Sequence, residues 1–172
     1  MNTRTIYPSA LLWIVACALS LTAAAAPLSV VTIEFDAPAV ARTMKYQIIV
    51  PDGYEVSEER YPVLYLLHGL TSNYTARARM RVPEYAARYK MIVVMPDVGH
   101  SWYVNWAESG DGKKNAWEDY MINDVIGHVD KNYRTIAKRE GRAINGLSMG
   151  GFGGIMLGLR HPEMFCSIAS HS

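Results

Sequence analysis

Short apolar runs alternate along this chain with segments of helical periodicity. A short apolar run bounded by turn residues is typical of a strand that is buried on both faces of a sheet. The second run alternates instead, because Met44, Tyr46, Ile48 and Val50 share one face before the turn residues Pro51-Asp52-Gly53. We predict six strands, at residues 28–35, 43–50, 63–67, 91–95, 142–147 and 165–169.

Helical segments lie between most of these runs. One is predicted at residues 83–89, a second at 115–133 and a third at 151–160. The second begins with Asn115, and Glu118 three residues later completes the pattern of a capping box. Strands that alternate with helices predict an α/β fold whose sheet is mainly parallel and carries helices on both faces. The first two strands are expected to form an antiparallel edge.

The first 26 residues differ from the rest of the chain. Arg4 precedes the uncharged apolar run 11–26, which ends in small residues before Pro27. A positive start, an apolar middle and small residues at a cleavage point are the features of a secretory signal peptide. We therefore predict a leader at residues 1–26, a single mature domain at 27–172, and a secreted or periplasmic protein.

Two alternatives to a cleaved leader stay open. The run of roughly 16 apolar residues could act as an N-terminal anchor, although a spanning helix needs about 20. The segment Ile14-Val15-Ala16-Cys17 resembles a bacterial lipoprotein box, although the apolar run continues past Cys17. After cleavage of the leader we expect no stable membrane insertion.

Composition argues against several other functions. The formal net charge is +1 with 19% charged residues, and no basic cluster indicates a nucleic acid or an anionic membrane as partner. Beyond the leader, Cys166 is the only cysteine, so an internal disulfide cannot form. No cluster of His, Cys, Asp and Glu has the spacing of metal ligands, and we expect no metal.

The strongest chemical signal is Gly146-Leu147-Ser148-Met149-Gly150, between a predicted strand and a predicted helix. A G-x-S-x-G sequence in that context predicts a strained turn that presents the serine hydroxyl above the sheet. The two glycines avoid collisions in so tight a turn. We interpret Ser148 as a nucleophile; the alternative is an ordinary serine in a glycine-rich turn.

A second motif, His68-Gly69-Leu70, follows the predicted strand 63–67 directly. The loop at this place supplies one backbone N–H of an oxyanion hole, and the residue after the nucleophile supplies the other. We assign the two donors to Leu70, with Thr71 as the alternative, and to Met149. The side chain of His68 is interpreted as a packing group of the loop.

Together these motifs resemble the esterase D / S-formylglutathione hydrolase-like esterases, closest to the bacterial tributyrin-esterase-like members. The resemblance covers most of the mature chain in order and implies an α/β-hydrolase fold. It also implies hydrolysis of short-chain carboxylic esters through an acyl-enzyme, without a cofactor. The matching stretches are residues 61–69, 93–97, 101–103, 117–120, 142–151 and 160–165.

Two aromatic residues follow the fourth predicted strand. Trp102 and Tyr103 lie at the sheet edge where ligands bind in open α/β sheets. They are candidates for the wall of an acyl or alcohol pocket. The alternative is a surface loop held in place by aromatic packing.

No residue after Ser148 is assigned as the general base or as its orienting acid. The order in this fold is serine, acid, histidine, but the remaining residues offer only Glu163, His161 and His171. The resemblance implies that the acid and the histidine lie on later strand-loop units. We therefore expect the C-terminal strands to be missing, the sheet edge to be exposed, and this chain alone to be marginally stable and at most weakly active.

Other functions are compatible with the same residues. Within the fold, the ester substrate could be S-formylglutathione or a carbohydrate-linked acetyl or feruloyl group, and export argues against the first. A different class is a catalytically inactive fragment or binding protein. A fluorophosphonate probe separates the two classes, because only an activated serine reacts with it.

Overall fold

A computed structural model describes residues 28–107 and 114–172. The predicted leader, including Cys17, lies outside the described residues. All six predicted strands are present. Two of them have the predicted bounds, and the ends of the other four are shifted by one to three residues. The strands are β1 (Val31–Ala37), β2 (Arg42–Ile49), β3 (Val63–Leu67), β4 (Ile92–Pro96), β5 (Arg142–Leu147) and β6 (Ser167–His171).

Three helical regions occupy the predicted intervals with different lengths, and a further short helix at Ala76–Arg79 was not predicted. The predicted helix 115–133 is one continuous helical stretch from 117 to 132, whose middle part, Tyr120–Val125, is π-helical. The helices are α1 (Ala76–Arg79), α2 (Val82–Ala86), α3 (Trp117–Asp119), α4 (Ile126–Asn132) and α5 (Met149–Arg160). Short 3₁₀ turns lie at Tyr54–Val56 and Arg139–Gly141.

The six strands form one sheet in the order β1-β2-β4-β3-β5-β6. Strands β4, β3, β5 and β6 are parallel, whereas β1 and β2 form the predicted antiparallel edge. Strand β3 lies between β4 and β5. The loops that follow these three strands therefore leave the sheet side by side at its carboxyl edge.

Helices cover both faces of the sheet, as predicted. Alternate side chains of a strand point to opposite faces: Tyr65 and Leu67 join the larger core with α3, α4 and α5, whereas Leu66 joins a smaller core with Ala86 of α2. Among the described residues no helix is long and apolar enough to cross a membrane.

The predicted capping box is wrong. Helix α3 begins at Trp117 and has no side-chain hydrogen bond at its N-cap residue, Ala116. Its first amides are instead satisfied by Asn105, whose Oδ1 accepts the N–H of Glu118 at 2.9 Å and of Asp119 at 3.3 Å. The capping side chain comes from the preceding loop, and local sequence spacing does not reveal such a partner.

Candidate active site

Ser148 lies at the sharp turn between β5 and α5. Its backbone has φ 55° and ψ −119°, a combination that residues with a side chain rarely adopt, and the residue is exposed. The Ser148 N–H donates to the carbonyl oxygen of His171 at 2.7 Å, and the Ser148 carbonyl accepts the N–H of Phe152 at 2.9 Å. The turn is thus held by β6 on one side and by α5 on the other.

The glycines of the motif let backbone segments meet without side chains between them. A β-carbon on Gly146 would lie 2.0 Å from the carbonyl oxygen of Gly150. A β-carbon on Gly150 would lie 2.6 Å from the carbonyl oxygens of both Leu67 and His68. No heavy atoms approach so closely without a bond, so the start of α5 rests directly on the end of β3.

The loop after β3 runs beside the serine. A β-carbon on Gly69 would lie 3.5 Å from Cβ of Ser148. Within the described residues, the N–H groups of Leu70 and Met149 donate no hydrogen bond. Two amides without internal partners, one on each side of an exposed serine, are what an oxyanion hole requires. Thr71 stays the alternative donor, and it adopts a positive φ of 62°.

The electrostatic setting favours negative charge at this point. Helix α5 has 12 residues, starts at Met149, and has no acidic residue in its first turn. The N-terminal end of a helix carries a partial positive charge from its unpaired N–H groups. A developing oxyanion beside Ser148 would therefore meet favourable dipoles from α5.

The two predicted pocket residues have different surroundings. Trp102 is 39% exposed and meets Phe152 edge to face, with ring centroids 5.8 Å apart. The Tyr103 side chain has no exposed surface, so it cannot form the wall of an open pocket in this structure and packs inside the loop instead. Sequence reasoning missed Phe152; its position one helical turn after Ser148 is the signal that could have found it.

No described histidine or carboxylate forms a hydrogen bond with the Ser148 hydroxyl. His68 is 2% exposed, and both its ring nitrogens have partners: Nδ1 is 2.8 Å from the Gly69 carbonyl oxygen, and Nε2 is 3.2 Å from the Val98 amide nitrogen. A carbonyl only accepts and an amide N–H only donates, so the proton lies on Nδ1. His68 therefore has no free lone pair for use as a base.

The other histidines near the C-terminus are also engaged or exposed. His161 Nε2 lies 2.8 Å from Oε1 of Glu118, which also accepts Nε–H of Arg160 at 2.8 Å. His171 is exposed on β6 and contributes its backbone carbonyl to the turn of Ser148. In the described ranges, no group of three or more His, Cys, Asp and Glu side chains could hold a metal ion.

Solved structures identify the class of protein to which this sheet and turn belong. A fluorophosphonate-binding serine hydrolase of Staphylococcus aureus, with substrate bound, superposes with a TM-score of 0.74 at 28% identity, over 83% of this chain and 56% of that one. A ferulic acid esterase superposes with a TM-score of 0.71 at 33% identity, over 81% of this chain and 58% of its own. The architecture is the α/β-hydrolase fold, as predicted.

Sequence comparison narrows the class to a family. Residues 37–172 match the family described as "Putative esterase", and the chain belongs to this esterase family. A Mycobacterium tuberculosis protein named as an esterase is 36% identical over 142 residues, which are 81% of this chain and 31% of that protein. The chain therefore spans about a third of this relative and a little over half of the two solved hydrolases.

Proposed function

We propose that this chain carries the nucleophile and the oxyanion hole of a serine carboxylesterase that acts on short-chain esters. The observation that carries the proposal is the exposed Ser148 in a strained backbone conformation, with Gly69 close to it on one side and the start of α5 on the other. Family membership and the names of the related proteins support the same chemistry.

The proposed reaction proceeds through an acyl-enzyme. Oγ of Ser148 attacks the ester carbonyl carbon and gives its proton to a base, while the N–H groups of Leu70 and Met149 stabilise the oxyanion of the tetrahedral intermediate. Collapse of that intermediate breaks the ester bond, and the base returns the proton to the departing alcohol. Water then attacks the acyl group by the same route and releases the acid.

The base and its orienting acid are expected from outside the described residues. A serine hydroxyl needs a neighbouring base to become a nucleophile at neutral pH, and no described side chain is bonded to it. The chain also spans only part of its solved relatives. We therefore expect the 172-residue chain by itself to hydrolyse esters weakly or not at all.

The activity test uses the product of the complete reading frame, whether or not it extends past Ser172. We expect a fluorophosphonate probe to label Ser148 and p-nitrophenyl acetate to be hydrolysed, and Ser148→Ala to abolish both. Ser167→Ala, at an exposed serine of β6, is the matched control and should retain both. Failure of the probe to label the wild-type protein would favour the binding-protein alternative. Rates measured with acetyl, butyryl, feruloyl and formyl-thiol esters in the same assay would distinguish the candidate substrates.

We further propose that the protein is exported. The apolar segment 11–26 after Arg4 supports a leader cleaved before Pro27, with lipid attachment at Cys17 as the alternative. The mass of the protein recovered from the periplasm or the medium would distinguish a free N-terminus at Pro27 from an intact or lipid-modified leader.

A further inference from the structure

We propose that Tyr103 is a positioning residue that holds the loop of the oxyanion hole at a fixed place beside the nucleophile helix. Its role in catalysis rests on the proposed esterase function. Its structural part, the bracing of residues 68–71 by one buried side chain, is independent of that function and can be tested separately.

Three consecutive carbonyl groups, from the end of β3 into the loop, accept hydrogen bonds from side chains. The Leu67 carbonyl accepts Nη2–H of Arg77 at 3.0 Å, the His68 carbonyl accepts the Tyr103 hydroxyl at 2.9 Å, and the Gly69 carbonyl accepts Nδ1–H of His68 at 2.8 Å. In a trans peptide the C=O and the next N–H point in opposite directions. Holding the Gly69 carbonyl therefore sets the direction of the Leu70 N–H.

The Tyr103 side chain also touches the nucleophile helix. A β-carbon on Gly153 would lie 2.4 Å from Cδ2 of the Tyr103 ring, so the ring fills the space that the missing side chain leaves in α5. Gly153 follows Ser148 by just over one helical turn. One buried ring thus contacts α5 while its hydroxyl holds the loop that carries Leu70.

The backbone is strained at Trp102 and Tyr103, where the Tyr103 side chain turns toward the loop. Trp102 and Tyr103 both have a positive φ, 58° and 61°, a backbone conformation that residues with a side chain rarely adopt. The conformation is held by the buried Ser101, whose Oγ accepts the N–H of Tyr103 at 3.1 Å. Strained backbone that is held by surrounding contacts clusters at functional sites, and here it accompanies the hydrogen bond from the Tyr103 hydroxyl to the His68 carbonyl.

The interior around the hydroxyl makes the bond to His68 difficult to replace. Burial raises the pKa of Tyr103 far above its ordinary value, so the hydroxyl keeps its proton and acts as a donor. His68 is in turn fixed from its other side by the Val98 N–H. Loss of the tyrosine hydroxyl would leave the His68 carbonyl without its buried partner and remove one of the three side-chain hydrogen bonds that hold this segment.

The variant Tyr103→Phe tests the proposal because it keeps the ring against Gly153 and removes only the donor. The first measurement is amide hydrogen exchange across residues 67–72, and the second is the kinetics of p-nitrophenyl acetate hydrolysis by the complete gene product. The control is Tyr65→Phe, because the Tyr65 hydroxyl is also buried but has no hydrogen-bond partner among the described residues.

We expect Tyr103→Phe to speed exchange in the loop by about tenfold or more while exchange in β3 and β5 stays unchanged. We expect kcat to fall by about 10- to 100-fold, which is no more than the fall caused by removing a whole oxyanion donor. KM should stay within about twofold of its original value. Tyr65→Phe should change neither the exchange nor the kinetics.

Unchanged loop exchange in Tyr103→Phe would overturn the proposal whether or not the protein is an esterase. Faster loop exchange without a fall in kcat, in an active enzyme, would overturn the positioning role. If the wild-type protein hydrolyses no ester, the esterase function fails, and loop exchange alone decides whether Tyr103 braces this loop.

Discussion

At the scale of single residues, backbone contact determines the candidate site more than side-chain chemistry does. The β-carbons that Gly146 and Gly150 lack would collide with backbone carbonyl groups rather than with flexible side chains. Backbone atoms of a sheet and a helix cannot shift without disturbing the elements that contain them. The G-x-S-x-G pattern is thus a steric requirement for seating α5 against β3 and β5.

Gly146→Ala should therefore destabilise the fold. The added β-carbon lies 2.0 Å from the Gly150 carbonyl oxygen, and we expect the free energy of unfolding to fall by more than about 2 kcal/mol, near the upper range for overpacked sites. Urea unfolding followed by circular dichroism measures the change.

Gly127→Ala is the matched control for that substitution. Gly127 lies in α4 with nothing within 4 Å of its missing β-carbon, so alanine should raise stability by about 0.5–1 kcal/mol. Equal effects of the two substitutions would contradict the steric account of the motif.

At the scale of elements, the helical stretch from 117 to 132 is fastened to the antiparallel edge of the sheet by polar as well as apolar contacts. His128 of α4 lies against Phe35 with ring centroids 4.7 Å apart, and its Nδ1 is 2.9 Å from the Tyr46 hydroxyl. Oδ2 of Asp124 accepts the N–H of Ala39 at 2.9 Å. The polar residues of this stretch are therefore partly contact residues and not only a solvated face.

Acid should weaken this contact through His128. Burial, with a smaller contribution from Lys131, lowers the pKa of His128 below its ordinary value of 6.5. The unfolded chain then binds a proton at this imidazole more readily than the folded chain does. The contribution of this contact to stability is therefore complete above about pH 6.5 and is lost as the pH falls toward the pKa of the folded state. In His128→Gln, the urea concentration at the midpoint of unfolding should fall less between about pH 7.5 and pH 5.5 than it does in the wild-type protein.

His100→Gln, at an exposed histidine, is the matched control because it removes an imidazole that lies outside this contact. An identical pH dependence in His128→Gln and the wild-type protein would show that this contact does not titrate in that interval.

Local sequence patterns predicted the elements better than they predicted the partners of side chains. Apolar and alternating runs gave all six strands, and burial on both faces explains the continuous apolar runs of β3 and β4. The motif placed Ser148 at the turn, because glycines and a strand-to-helix change are local features. Asn105 as the helix cap and Tyr103 as a buried brace depend on loops that approach from elsewhere in the fold, and no local spacing encodes that approach.

At the scale of the whole molecule, part of the exposed apolar surface lies at the β6 side. Phe152, Ile155 and Leu159 of α5 and Ile168 of β6 are all exposed, and β6 is the outermost strand of the described sheet. Clustered apolar residues beside an unpaired strand edge favour association between chains.

The 172-residue chain should therefore self-associate as its concentration rises. Leu159→Lys places a charge on the most exposed apolar residue of α5 (71% exposed) and should lower the weight-average mass at high concentration, measured by sedimentation. Val56→Lys, at an exposed valine in a 3₁₀ turn away from β6, should not. If both substitutions lowered the weight-average mass equally, the contact between chains would lie elsewhere.

The hydrogen bond between the Ser148 amide and the His171 carbonyl makes the turn at Ser148 sensitive to the register of β6. A shift of β6 along β5 would remove the acceptor of that amide without touching the G-x-S-x-G segment. The geometry at residue 148 thus depends on strand pairing more than twenty positions downstream.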